Sequence, residues 1–137
     1  LWESLLSGQT DRNASIISMM DEAENHIQDI ENNYSRISKL EFGLVSIDVD
    51  TPVLLTGGKT YNILIVGERN KIKSFKLGIS YKPGNEYIKL NEFIGNANII
   101  KATFTPQKSV FYYFLITVNQ FYSGFSTGGY FMIVSFN

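Results

Sequence analysis

The chain has 137 residues, with 12 Lys and Arg against 13 Asp and Glu and a formal net charge of −1, which leaves room for one compact core plus one long element and supplies no global field for nucleic acid or an anionic membrane. Cysteine is absent and His26 is the one histidine, so disulfides, thiol nucleophiles and multi-His metal sites are excluded and no cofactor is expected. Aromatic residues make up 14% of the sequence, a composition foreign to disordered chains. The sequence begins at Leu1 and is read as a processed product or a piece of a longer protein.

Charge is laid out unevenly. Residues 1–41 carry eight acids and three bases, a net of −5, whereas residues 42–137 carry five acids and nine bases, a net of +4. Within the acidic part Trp2, Leu6, Gln9, Asn13, Ile16, Met20, Ala23, Ile27, Ile30, Tyr34 and Ile37 recur at strict 4,3,4,3 spacing, which is a heptad seam. Gln9 and Asn13 follow Ser7-Gly8, so the spacing predicts a helix capped at Thr10 or Asp11 and running to about Leu40, or a longer coil with two polar layers. From Ile16 to Ile37 the stripe is narrow and apolar, with Asp21, Glu22, Asn25, Gln28, Asp29, Asn32 and Arg36 outside it. Such a stripe suits a partner helix, and Ile at both seam positions, as at Ile27 and Ile30, favours trimers or higher oligomers over dimers. The alternative is a helix folded onto its own chain, which ordinarily needs a wider apolar face.

After Glu41 the period changes to 2. Strands are expected near 44–50, 53–56, 60–66, 73–81, 87–90, 98–104, 110–118 and 130–136, separated by turns such as Lys82-Pro83-Gly84-Asn85 and Thr105-Pro106-Gln107-Lys108. Eight short strands without a second helix imply an antiparallel, jelly-roll-like sandwich. Phe75, Leu77, Ile79 and Tyr81 share one side of the fourth strand, and Ser74, Lys76, Gly78, Ser80 and Lys82 share the other, so that strand has one wet face. The stretch 110–118 is large and apolar at both parities, and 130–136 resembles it. Phe111, Tyr112, Tyr113, Phe114, Ile116, Phe131 and Ile133 are therefore expected at an interface between subunits, unless the N-terminal helix covers them. No stretch reaches the roughly 20 apolar residues of a membrane span, so no membrane insertion is expected.

Smaller motifs are weaker. Thr56-Gly57-Gly58-Lys59-Thr60 ends like a phosphate-binding loop, but Val53 stands where the first glycine belongs and no helix follows, so a turn is the better reading. Asp48 and Asp50 lack the spaced oxygen ligands of a calcium loop. Arg69, Lys71, Lys73, Lys76 and Lys82 crowd one hairpin, which could attract an anionic polysaccharide or merely protect an edge. Phe121, Tyr122, Phe125 and Tyr130 surround a Ser/Gly-rich loop and offer either a plug between subunits or stacking surfaces for a sugar. Tyr122, Phe125, Tyr130, Lys76 and Lys82 are the candidate ligand contacts. Glu68, Glu86, Glu92, Asp48 and Asp50 are the acids of the second part; no pair sits in a recognisable hydrolase motif, and no enzymatic activity is expected.

A heptad stem at 16–37 leading into a Cys-free, aromatic-rich sandwich that closes on the strand at 130–136 resembles the C-terminal part of trimeric fibre, baseplate and receptor-binding proteins of bacterial viruses. The resemblance implies a mainly β protein with an N-terminal α-helix: a parallel, trimeric coiled-coil stem over 1–41 and a β-sandwich head over 42–137. It further implies a structural virion part, self-associated as a homotrimer, whose head contacts a cell-surface saccharide or another tail protein. Trimeric ligands of the complement-C1q and tumour-necrosis-factor type share the plan, and the alternative they imply is a signalling or adhesion ligand for a protein receptor.

Overall fold

Alternating apolar and polar residues require one face of each strand to be hidden, and in the computed structural model, which describes residues 14–25 and 36–136, eight strands meet that requirement by stacking in two sheets. A helix α1 (Ala14–Glu24) precedes β1 (Ile37–Val45), β2 (Asp48–Leu55), β3 (Tyr61–Gly67), β4 (Ile72–Tyr81), β5 (Ile88–Ile94), β6 (Ile99–Phe104), β7 (Val110–Phe121) and β8 (Gly128–Phe136). The first sheet has the order β1-β8-β3-β6 and the second β2-β7-β4-β5. Every pairing is antiparallel.

The pairs β1–β8, β2–β7, β3–β6 and β4–β5 are nested. The chain is thus one long hairpin with its tip at β4–β5, wound so that β3 also meets β8 and β4 also meets β7, which is the winding of a jelly roll. Between the sheets lies the core, built on Val53, Leu55, Ile63, Ile65, Phe75, Leu77, Ile79, Phe114, Ile116, Met132 and Val134. A second apolar cluster lies on the other side of the first sheet, where Met19, Met20 and Ala23 of α1 cover Leu64, Val66, Phe131 and Ile133. Glu22 fastens the helix: its Oε2 is 3.1 Å from the Arg69 guanidinium, and its Oε1 accepts a hydrogen bond of 2.9 Å from Asn98 Nδ2.

These facts correct the expected stem. Ile37 is not a helical seam residue; it opens β1, pairs with Ser135 and lies on a strand that crosses the boundary drawn at 41/42. Met20 and Ala23 are buried against the chain's own sheet and Ile16 packs beside them, so this part of the stripe is used within the chain. The buried face is wider than the seam, because Met19, outside the heptad series, is buried beside Met20; Ile16, Met19, Met20 and Ala23 form the i, i+3, i+4, i+7 face of a helix that packs on its own sheet. Ile27, Ile30 and Tyr34 lie outside the described residues. The same contact corrects Phe131 and Ile133, which are fully buried under α1 and not at a subunit interface. Tyr112, Phe114 and Ile116 are likewise core residues of the sandwich, whereas Phe111 and Tyr113, on the opposite parity, point outward.

Boundaries also moved. The chain turns at Ser46 and Ile47, and a single strand β2 then runs through Pro52. That is tolerated because β2 is an edge strand, bonded to β7 alone, where a missing N–H disturbs no second ladder. Strand β8 starts at Gly128, two residues before the aromatic run. A Cβ at Gly128 would stand 2.7 Å from Ile72 Cγ1, so the glycine belongs to the packing.

Parity along β7 has a direct consequence. Phe114→Ala should destabilise the fold by about 3–5 kcal/mol, and Phe111→Ala, which empties an outward position, by about 1 kcal/mol or less. Urea unfolding followed by tyrosine and tryptophan fluorescence separates the two.

Candidate functional site

α1 covers the β3 and β8 part of the first sheet's outer face and leaves Leu44 of β1 exposed, whereas the second sheet's outer face carries no helix among the described residues. Cross-strand register arranges its outward residues in rows. Leu54 stands opposite Phe111; Pro52, Tyr113, Ser80 and Lys89 form the next row; Asp50, Leu115, Gly78 and Glu92 the third; Asp48, Thr117, Lys76 and Ile94 the fourth. Ridges of large side chains along β7 and β5 therefore flank a low line along β4, where the outward positions Ser80 and Gly78 lie between Lys82 and Lys76. A Cβ at Gly78 would meet nothing nearer than the Leu115 carbonyl oxygen at 4.0 Å. The result is a trough whose floor is small and polar. From Lys76 to Ser80 it runs about 14 Å at roughly 3.4 Å per residue.

Aromatic rings mark one end. Tyr87, just before β5, meets Tyr113 edge to face, with centroids 5.1 Å apart and planes at 88°. Lys82 places its Nζ 5.1 Å from the Tyr87 ring in a cation–π contact. Tyr87 is 53% exposed and Phe111 54%, so ring faces and edges remain open. On the β5 ridge Glu92 pairs with Lys89 and, at 3.5 Å, with Lys76. The hydrogen bond from Lys89, helped by the charges of Lys76 and Lys89, outweighs desolvation and holds the Glu92 carboxyl below its usual range. Across the trough Asp50 is shifted upward, first by desolvation and then by the neighbouring Asp48. The trough is thus basic and aromatic toward Lys82 and Tyr87, and acidic on the β2 side.

Of the expected ligand contacts, Lys82 and Lys76 reach this site, although the Lys76 amine is already engaged by Glu92. Tyr122 and Phe125 are exposed at the opposite end of β4, beneath Lys73 and Lys71 at 5.9 and 5.7 Å. Arg69 and Lys71 of the basic hairpin pair with Glu22 and Glu68. Tyr130 is committed to the fold: it is buried, and its hydroxyl donates to Glu41 Oε2 at 2.7 Å, an oxygen that also accepts from Thr51 at 2.8 Å. The Gly57-Gly58 segment is a turn between the sheets, Gly58 adopting φ 86°. Among the described residues no three acidic or imidazole side chains gather as metal ligands. Sequence reasoning missed Tyr87, Ser80, Glu92 and Lys89 as a group, since only strand register brings them beside Tyr113.

No protein-family model matches the sequence, and no curated protein matches it. Solved structures do resemble the fold. The pre-peptidase C-terminal domain of a collagenase from Bacillus anthracis superposes with a TM-score of 0.56 at 16% identity, over 72% of this chain and 90% of that one. PliG, a periplasmic inhibitor of g-type lysozyme from Aeromonas hydrophila, gives 0.54 at 10% identity, over 76% and 90%. A CBM4 carbohydrate-binding module gives 0.52 at 14% identity, over 74% and 77%. At these identities the likeness is one of fold.

The Tyr130 hydroxyl carries a pH signature. Burial first, and then the hydrogen bond and charge of Glu41, push its ionisation above the ordinary value of 10.0. The folded state therefore disfavours the phenolate, and stability from this group is complete below about pH 10 and lost as pH rises beyond it. Tyr130→Phe should lower stability near neutral pH, by about 1–2 kcal/mol for the lost charge-assisted hydrogen bond, and should flatten the alkaline decline. Urea midpoints measured between pH 7 and 11 for both proteins check this.

Proposed function

We propose that the chain is a non-catalytic binding module that holds an extended saccharide along the trough of the second sheet. The observation that carries this reading is the open Tyr87–Tyr113 pair beside the low Ser80–Gly78 floor. Sugar rings present C–H faces that lie against aromatic rings and rims of hydroxyls that exchange hydrogen bonds; here Tyr113, Tyr87 and Phe111 supply the former, and Ser80, Asp50, Glu92 and Lys89 stand within the same rows for the latter. A trough of about 14 Å accepts a short run of linked rings, whereas a compact ligand would leave most of it empty. The CBM4 module, a carbohydrate-binding protein of similar fold, is consistent with this use of a sandwich.

Affinity electrophoresis in gels cast with soluble xylan, mixed-linkage glucan, hydroxyethylcellulose or solubilised peptidoglycan tests the proposal. Retardation by at least one polymer is expected, and Tyr113→Ala or Tyr87→Ala should weaken it about tenfold or more with an unchanged melting temperature. Free migration in every gel, or full retention by both variants, would overturn the reading.

A second reading keeps the same face for a different purpose. Leu54, Phe111 and Leu115 are 60, 54 and 39% exposed on the first and third rows, and a second and third copy of the chain would cover them as in a homotrimeric fibre or baseplate part of a virion. Of the observations behind that assignment, Ile37 and the strand at 130–136 now serve the chain's own fold, and the exposed rows are what favour it. Light scattering coupled to size-exclusion chromatography decides: a mass near 15.5 kDa fits the open saccharide face, and about 46 kDa, three times that value, fits the buried interface.

A further inference from the structure

At the Tyr81 end of β4 a cleft of about 240 Å³ opens between the second sheet and the β6–β7 loop, lined in part by Tyr81, Asn91, Phe104, Gln107, Lys108 and Tyr112. It is separate from the trough, because Tyr81 and Tyr112 belong to the inward parity of their strands. Its wall is aromatic: Phe104 meets Tyr112 edge to face at 5.4 Å, and Tyr81 lies 6.4 Å from Tyr112. Lys108 holds its amine 5.7 Å from the Tyr81 ring. Among the described residues no acid pairs with that amine and no carboxylate lines the cleft. One unpaired cation beside aromatic rings and two side-chain amides is complementary to an anion carried on a hydroxylated ring. The volume is below the roughly 300–1,000 Å³ of pockets for drug-sized ligands, so one ring fits and a chain does not.

The walls are also fixed in advance. The Tyr112 hydroxyl accepts from the Lys108 backbone N–H at 3.2 Å and donates to the Lys108 carbonyl at 2.9 Å. Gly57 N–H donates to Ser109 Oγ at 2.9 Å, and Gly58 N–H to the Pro106 carbonyl at 2.8 Å. The loop that carries Lys108 and Gln107 is therefore pinned at three points, which lowers the entropy lost when a ligand orders it.

We propose that this cleft binds a single carboxylate-bearing sugar unit, a uronic acid, with its ring against Tyr81 and its carboxylate at the Lys108 amine, while Asn91 and Gln107 meet the hydroxyls. The inference rests on the saccharide reading in taking a sugar as ligand, but uses none of the trough residues. An ¹H–¹⁵N shift titration of the full chain with sodium glucuronate, with methyl glucoside and with acetate tests it. Saturable shifts at Asn91, Gln107 and Lys108 are expected with glucuronate, with methyl glucoside and acetate each about tenfold weaker or more. Lys108→Gln should weaken glucuronate about tenfold and Lys108→Arg should restore part of it; the loop is held through the Lys108 backbone, so both variants should keep the parent spectrum elsewhere. Tyr113→Ala should leave glucuronate binding intact, which separates failure here from failure of the trough. Equal affinities for glucuronate and methyl glucoside, acetate binding as tightly as glucuronate, shifts confined to other residues, or no shifts at all would overturn the proposal.

Discussion

The fold depends on burying one strand from both sides. Strand β8 has eight of its nine residues buried, because Met132 and Val134 enter the core between the sheets while Phe131 and Ile133 face α1. It is bonded laterally to β1 and β3 at once. A strand with no wet face needs a continuous apolar sequence and a cover on each side, and the chain provides both. The Glu41 carboxylate adds a polar tie: Tyr130 of β8 and Thr51 of β2, which belong to different sheets, donate to the same oxygen. Two hydroxyl donors from opposite layers thus meet one part-buried carboxylate oxygen.

With α1 packed on β3 and β8, most of the large side chains that meet water on the two sheets lie on the second, Leu44 of β1 being the exception. Burial alone would have favoured a polar surface there. Instead Leu54, Phe111, Leu115 and Tyr87 remain exposed, arranged around a strand whose outward residues are small. This asymmetry leaves the second sheet's outer face without a helix among the described residues. It also explains why the basic hairpin is less available than its charge suggests, since Arg69 is engaged by the helix that closes the first sheet.

Much of this was legible in the period-2 pattern. The inward set Phe75, Leu77, Ile79 and the outward set Lys76, Gly78, Ser80 were separable from alternation alone, because β4 lies between a core and solvent. Strand β1 was hidden because Ile37 continues a heptad and Ile37, Leu40 and Phe42 are only partly buried, so neither parity dominates. The turn at Ser46-Ile47 carries no glycine or proline to announce it, and Pro52 drew a break into a strand that its edge position lets continue. For β7 the sequence showed two apolar parities without saying which was inner; the pairing of Leu77 with Ile116 and of Ile79 with Phe114 decides it. The Tyr87–Tyr113 contact joins residues 26 positions apart and depends on a bulge in β5 between the partners of Ile79 and Ser80, which no local pattern encodes.

The placement of Pro52 reaches beyond the single molecule. The second sheet ends in β2 on one side and β5 on the other, and an unguarded border of this kind templates foreign strands into cross-β stacks. On the β2 border a proline removes a donor from the ladder that a newcomer needs, and Asp48 and Asp50 set two carboxylates beside it. On the β5 border Lys89 and Glu92 do the same with mixed charge. A missing donor on one flank and charges on both stand where an incoming strand would have to pair, which opposes extension of this sheet through its backbone while its aromatic face stays open to solvent.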